Sequence, residues 1–184
     1  QALAASRLVI TSSPQTIAAG ACSGAVTLLA QDALGNTTPM PADTSVALTA
    51  TSGTLTFFAD AACGTAATSL TLSAGSATRE FFFRDTTVGS PQLTATAPFG
   101  AASQAATITP SALTQIAFTT PSRSIASGVC SQVLTEQSQD ALGNPAISAG
   151  ALTVALTSSA STMVFHSDPA CTSTTTTANI AAGS

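Results

Sequence analysis

Apolar and polar residues alternate along this chain in short runs with a period of two, not 3.6. The runs 7–11, 25–31, 45–50, 54–59, 69–72, 78–84, 92–97 and 105–109 each read as a strand. Thr, Val and Ser dilute helix propensity throughout. Turn signals separate the runs: Gly35-Asn36, residues 39–43, Gly53, Gly75-Ser76, Gly89-Ser90-Pro91 and Pro98-Phe99-Gly100. Roughly seven or eight strands in about 108 residues, with a turn about every 8–12, predict an immunoglobulin-like β-sandwich.

The pattern then repeats. Cys22 and Cys130 are 108 residues apart, as are Cys63 and Cys171. The same shift lays Gln31-Asp32-Ala33-Leu34-Gly35-Asn36 on Gln139-Asp140-Ala141-Leu142-Gly143-Asn144, and Val46-Ala47-Leu48-Thr49 on Val154-Ala155-Leu156-Thr157. Residues 5–76 match 113–184 at 26 of 72 positions without a gap, so one module is present twice. Ser184 corresponds to Ser76, and residues 77–112 have no second copy. The expected division is 1–111 for a first sandwich and 112–184 for a second that lacks its C-terminal strands. The chain reads as a piece of a longer array.

Composition narrows the function. Charged residues are 7% of the chain, net charge is −4, and all four basic residues are Arg. Nothing here neutralises a run of phosphates or an anionic membrane surface, so nucleic acid and direct membrane partners are excluded. Hydrophobicity is too high for charge-driven disorder. No apolar stretch has the length of a membrane-spanning helix or of a leader.

Four cysteines allow three connectivities. Pairing within each module, Cys22–Cys63 and Cys130–Cys171, alone treats both copies alike. Closing a loop of 41 residues stabilises a module by about 4 kcal/mol on the chain-entropy model. A zinc site needs clustered Cys and His, whereas the one histidine, His166, has Phe58 as its counterpart. Disulfides place the protein outside the cytosol.

The run Thr27-Leu28-Leu29-Ala30-Gln31-Asp32-Ala33-Leu34-Gly35-Asn36, followed by Val46-Ala47-Leu48-Thr49 and by Gly75 ahead of 78–83, resembles bacterial immunoglobulin-like repeats. Such modules occur in invasin- and intimin-type adhesins and large secreted repeat proteins. The cysteine-bearing form is similar to repeats of myxobacterial surface proteins. The resemblance covers nearly the whole chain. It implies tandem sandwiches at a bacterial surface or in a secreted protein, acting as a stalk beside neighbouring repeats. A disulfide in each module departs from that pattern, and no adhesive tip is recognisable.

Catalytic constellations are not expected, and neither is a cofactor. A nucleophilic triad needs a base, and His166 occurs in only one module. The eight carboxylates are scattered, and Asp32/Asp140 and Asp60/Asp168 recur in both copies, which points to a shared structural task. The turns Asp32, Gly35, Asn36 and Asp140, Gly143, Asn144 admit two readings: calcium ligation through hard oxygens, or an Asx-turn in which Asp accepts backbone N–H bonds. The second is favoured, because no further acids cluster there. Asn36-Thr37-Thr38 has the form of a glycan acceptor, but its counterpart Asn144-Pro145 does not. In 81–83, Phe81 and Phe83 share the core face, which leaves Phe82 as a candidate contact with a neighbouring module or partner. Glu136 stands where the first copy has Leu28, requiring either an edge strand or a bulge. The leading function is a structural spacer, not an enzyme. One alternative is a module that recognises a carbohydrate or a protein through loops or an exposed strand. Another is a filament subunit completed by strands from another chain.

Overall fold

Side chains in a strand point alternately to opposite faces, so period-two runs must sort into an apolar and a polar side. The computed structural model of the chain describes residues 3–184 and is all-β, with no helix among them. It divides into two units, one running to Pro110 and the other from Ser111 to Ser184.

Unit 1 contains ten strands: β1 (Arg7–Ile10), β2 (Thr16–Ala18), β3 (Val26–Gln31), β4 (Thr44–Ala50), β5 (Thr56–Phe58), β6 (Ser69–Leu72), β7 (Thr78–Arg84), β8 (Gln92–Ala97), β9 (Gly100–Ala105) and β10 (Thr107–Thr109). One sheet has the order β1-β3-β7-β5 and the other β6-β4-β8-β9. The first contributes Leu8, Val26, Leu28, Phe57, Phe81 and Phe83 to a single core, and the second contributes Val46, Leu48, Leu70, Leu72, Leu93 and Ala95. Phe57 and Phe81 meet edge to face at 5.7 Å. Two sheets sharing one core is the layering of a β-sandwich.

Two of these strands carry no clear signal in the sequence. The short β2 forms a parallel pair with β10, Ile17 opposite Ile108. The strand β9 begins at Gly100, the last residue of the expected turn, and pairs with β8. A side chain at Gly100 would sit 3.3 Å from the Leu8 backbone nitrogen, so glycine lets β9 approach β1.

Unit 2 contains β11 (Leu113–Phe118), β12 (Glu136–Asp140), β13 (Leu152–Ala155), β14 (Phe165–His166), β15 (Thr174–Thr175) and β16 (Thr177–Ile180). They form three antiparallel pairs, β11–β12, β13–β16 and β14–β15. The register is that of unit 1 shifted by one repeat: Leu152 opposes Ile180 as Thr44 opposes Leu72, and Ile116 opposes Ser138 as Leu8 opposes Ala30. Among the described residues, Ala146 is the one buried hydrophobic of this unit. The strand β12 keeps the parity of β3, so Glu136 occupies the inward position of Leu28 and is half-buried. Of the two explanations for a carboxylate at that place, the edge holds: among the described residues β12 has a strand partner on one side only, and the irregularity lies in β11 between Leu113 and Gln115.

Candidate functional site

The residues singled out in the sequence fall into three local structures, two of them built twice. The first is the cystine. Cys22, just ahead of β3, is bonded to Cys63 in the loop between β5 and β6, and Cys130 is bonded to Cys171 in the same way. The Cα–Cα distances are 5.9 and 6.0 Å, well inside the span a disulfide bridges. Cys63 and Cys171 adopt φ of 50° and 55°, the left-handed region that non-glycine residues seldom occupy.

A carboxylate holds each of these loops in that conformation. Asp60 accepts N–H bonds from Ala62, Gly64 and Thr65, the last at 2.6 Å. Asp168 accepts from Ala170, Thr172 and Ser173, the last again at 2.6 Å. The N–H groups of Gly64 and Thr65 lower the Asp60 pKa against the opposing effect of burial. Those of Ser173 and Thr172 lower that of Asp168 to about 2. Sequence reasoning recognised that these acids recur but not that they brace the cystine loop.

The second structure is the turn that follows β3 and β12. Asp32 Oδ1 accepts N–H bonds from Leu34 and Asn36, each at 2.9 Å, and Oδ2 accepts from Asn36 Nδ2 at 3.1 Å. Asp140 repeats the set with Leu142 and Asn144. Gly35 and Gly143 take φ of 85° and 84°, which the turn requires and glycine tolerates. Asp140 also receives the Ser111 N–H at 3.0 Å, and the backbone N–H of Leu3, one repeat earlier, contributes to lowering the Asp32 pKa. Burial opposes the charge on both aspartates, yet the Asn side chains and backbone donors outweigh it and lower both pKa values. A hard cation needs carboxylate oxygens free to coordinate it, and these are engaged by N–H donors, the arrangement of an Asx-turn. Among the described residues no three of His, Cys, Asp and Glu come together.

The third structure, found in unit 1 alone, is the aromatic strand. Phe81 and Phe83 are buried, and Phe82 is half-buried opposite Phe58 on the other face. The Arg84 guanidinium lies 5.1 Å from the centre of the Phe58 ring. His166 occupies the place of Phe58 in unit 2, half-buried, with its Nδ1 enclosed and unpartnered. Sequence reasoning assigned no role to Asp85, which is fully buried and accepts bonds from the Thr54 hydroxyl at 2.5 Å and the Thr87 N–H. Nor did it single out Ser23, whose hydroxyl accepts the Phe83 N–H beside the Cys22 linkage. Their distant partners, the Thr54 hydroxyl and the Phe83 N–H, are brought to them by the fold.

No known protein family matches the chain, and no curated protein matches it. Solved structures give distant likenesses. The chain is similar to InvD of Yersinia pseudotuberculosis at 14% identity and a TM-score of 0.46, over 96% of this chain and 50% of that one. It is similar to domains 5–6 of the S-layer protein SbsC at 15% identity and a TM-score of 0.41, over 94% of each. A β-glycosidase from Bacteroides vulgatus is similar at 13% identity and a TM-score of 0.45, over 58% of this chain and 14% of that one. The chain thus spans about half of the InvD structure and a small part of the glycosidase.

Proposed function

We propose that this chain is a non-catalytic spacer, a stretch of tandem immunoglobulin-like modules from an extracellular or cell-surface bacterial protein. The observation that carries the reading is the duplication of structural chemistry. Both cystines, both cystine-loop aspartates and both Asp-Gly-Asn turns recur at one register. In each, the carboxylate is engaged in holding its own loop, and a reacting group must instead be free to exchange protons with a substrate. Disulfides suit an oxidising compartment. The sparse charge gives no steering field for a charged ligand. The partners expected are neighbouring repeats of the same protein.

The test has two arms. Alkylation of the secreted, unreduced protein should leave all four cysteines unmodified, and screening against glycans and bacterial surface proteins should give no saturable binding. Free thiols would remove the extracellular assignment. Saturable binding to one glycan or protein, abolished by substitutions in a single loop, would make this a recognition module instead.

A further inference from the structure

Unit 2 carries an apolar face that none of the described residues covers. Ile116, Phe118, Glu136, Val154, Leu156 and Phe165 line one open cleft there. Phe118 is 62% exposed, and Leu134 is 49% exposed where its counterpart Val26 is fully buried. Two backbone edges open beside this face. In unit 1, residues 26–29 pair with β7 and residues 47–50 with β8. The corresponding residues 134–137 and 155–158 have no strand partner on that side among the described residues.

Unit 1 therefore indicates what fits the space. There Phe81 and Phe83 of β7, with Leu93 and Ala95 of β8, are buried over the equivalent positions. Charge selects the same occupant independently. The register of β3 on β7 sets Leu28 opposite Arg79. Glu136 stands in the place of Leu28, so a strand with the β7 pattern in the same register brings an arginine directly across from this carboxylate. Opposed residues of an antiparallel pair lie on one face within contact distance, and opposite charges there attract. Covering the face without such a partner would strand a carboxylate in apolar surroundings.

We propose that the open face of unit 2 is an acceptor for a segment of the type of residues 77–112, whose first two strands, equivalent to β7 and β8, cover the face and whose arginine at the Arg79 position pairs with Glu136. This concerns which polypeptide completes the unit, and it stands whether or not the array is a spacer.

The experiment joins a second copy of residues 77–112 after Ser184 of the full chain and follows amide exchange by mass spectrometry, with unit 1 as internal reference. Amides of Leu134, Glu136, Ala155 and Thr157, whose counterparts in unit 1 face β7 and β8, should slow on the order of 100-fold, as for residues drawn into a cooperative sheet. An appended copy carrying aspartate in place of the phenylalanines at positions 81 and 83 should abolish the slowing. Changing its Arg79 to leucine should reduce the protection with Glu136 present, and leave it unchanged in the Glu136→Leu chain. Extension without added protection would overturn the proposal, and an arginine effect equal in both backgrounds would overturn the pairing. So would protection of these amides in the unextended chain, whether as a monomer or only on self-association, because the face would then have another occupant.

Discussion

The two units place the same loops around very different interiors. In unit 1, Leu8, Val26 and Leu48 are at most 5% exposed, sealed between two four-stranded sheets. In unit 2 the residue at the Leu8 position, Ile116, is 37% exposed, and the buried side chains include Ser138, Asp140, Asn144 and Ser148. Yet the cystine, the Asp168 loop and the Asp140 turn are those of unit 1 almost bond for bond. The lesson is that these loops are locally determined: a carboxylate ringed by N–H groups and a covalent link define their shape without a sealed core behind them. The hydrophobic core, by contrast, depends on strands distant in sequence.

Four changes should break or sharpen that contrast. The largest effect is expected from Phe81→Ala, which empties the centre of the unit 1 core and should cost about 3–5 kcal/mol in denaturant unfolding. Phe118→Ala, at an exposed site of unit 2, should change stability by less than about 1 kcal/mol. Equal costs would mean that the unit 2 face is covered in solution. Removing a cystine comes next. The double change of Cys22 and Cys63 to Ala should lower unit 1 stability by about 2–4 kcal/mol, mainly through the unfolded chain. The same change at Cys130 and Cys171 should leave unit 2 without measurable amide protection in its loop 168–173.

A smaller effect is expected at the turns. Gly35→Ala forces a Cβ into the left-handed region and should cost about 1 kcal/mol, as should Gly143→Ala. Gly53→Ala, where no positive φ is involved, should be near neutral by the same thermal measurement. The mildest perturbation is acid. The pKa values of Asp32, Asp60, Asp140 and Asp168 are lowered in the folded state, so their stabilisation is full above an unfolded value of about 4. It should be lost as pH falls through the folded values, near 2 for Asp168. Melting curves from pH 5 to pH 2 should therefore decline, and Asp168→Asn should flatten the decline assigned to unit 2. A melting temperature independent of pH in that window would contradict the role given to these carboxylates.

Strand existence was largely legible in the sequence because buried Val26, Leu28 and Ala30 alternate with half-buried neighbours, and Leu70 and Leu72 with exposed ones. The strand β9, Gly-Ala-Ala-Ser-Gln-Ala, has no such contrast, because small side chains mark neither face; pairing with β8 and the close approach to β1 create it. β2 is three residues long and is defined by a partner some ninety residues away. The candidate-site residues were legible where chemistry is local, as in the Asp32 turn. They were not where it is distant: the Leu3 and Ser111 donors, the Thr54 hydroxyl on Asp85 and the Ser23 hydroxyl on Phe83 appear only once strands are assembled. The second unit adds a further reason. Its β12 reads Glu-Gln-Ser-Gln-Asp, a polar strand whose faces are assigned by register with unit 1 rather than by hydrophobicity.

The parallel pairing of β2 with β10 has a mechanical consequence. The chain enters β2 at Thr16 and leaves β10 at Thr109, with Thr107 donating to the Gln15 carbonyl at 2.9 Å and Ala19 to the Thr109 carbonyl at 2.8 Å. Because the two strands run in the same direction, tension on the ends of unit 1 pulls them in opposite senses along their common axis. The hydrogen bonds between them then lie across the force and must yield together, in shear, instead of opening one after another like a zipper. Tension entering from the N-terminus first meets β1 and its antiparallel pairing with β3, and this short ladder then carries the load that reaches Thr16 before it passes to the strands between β2 and β10.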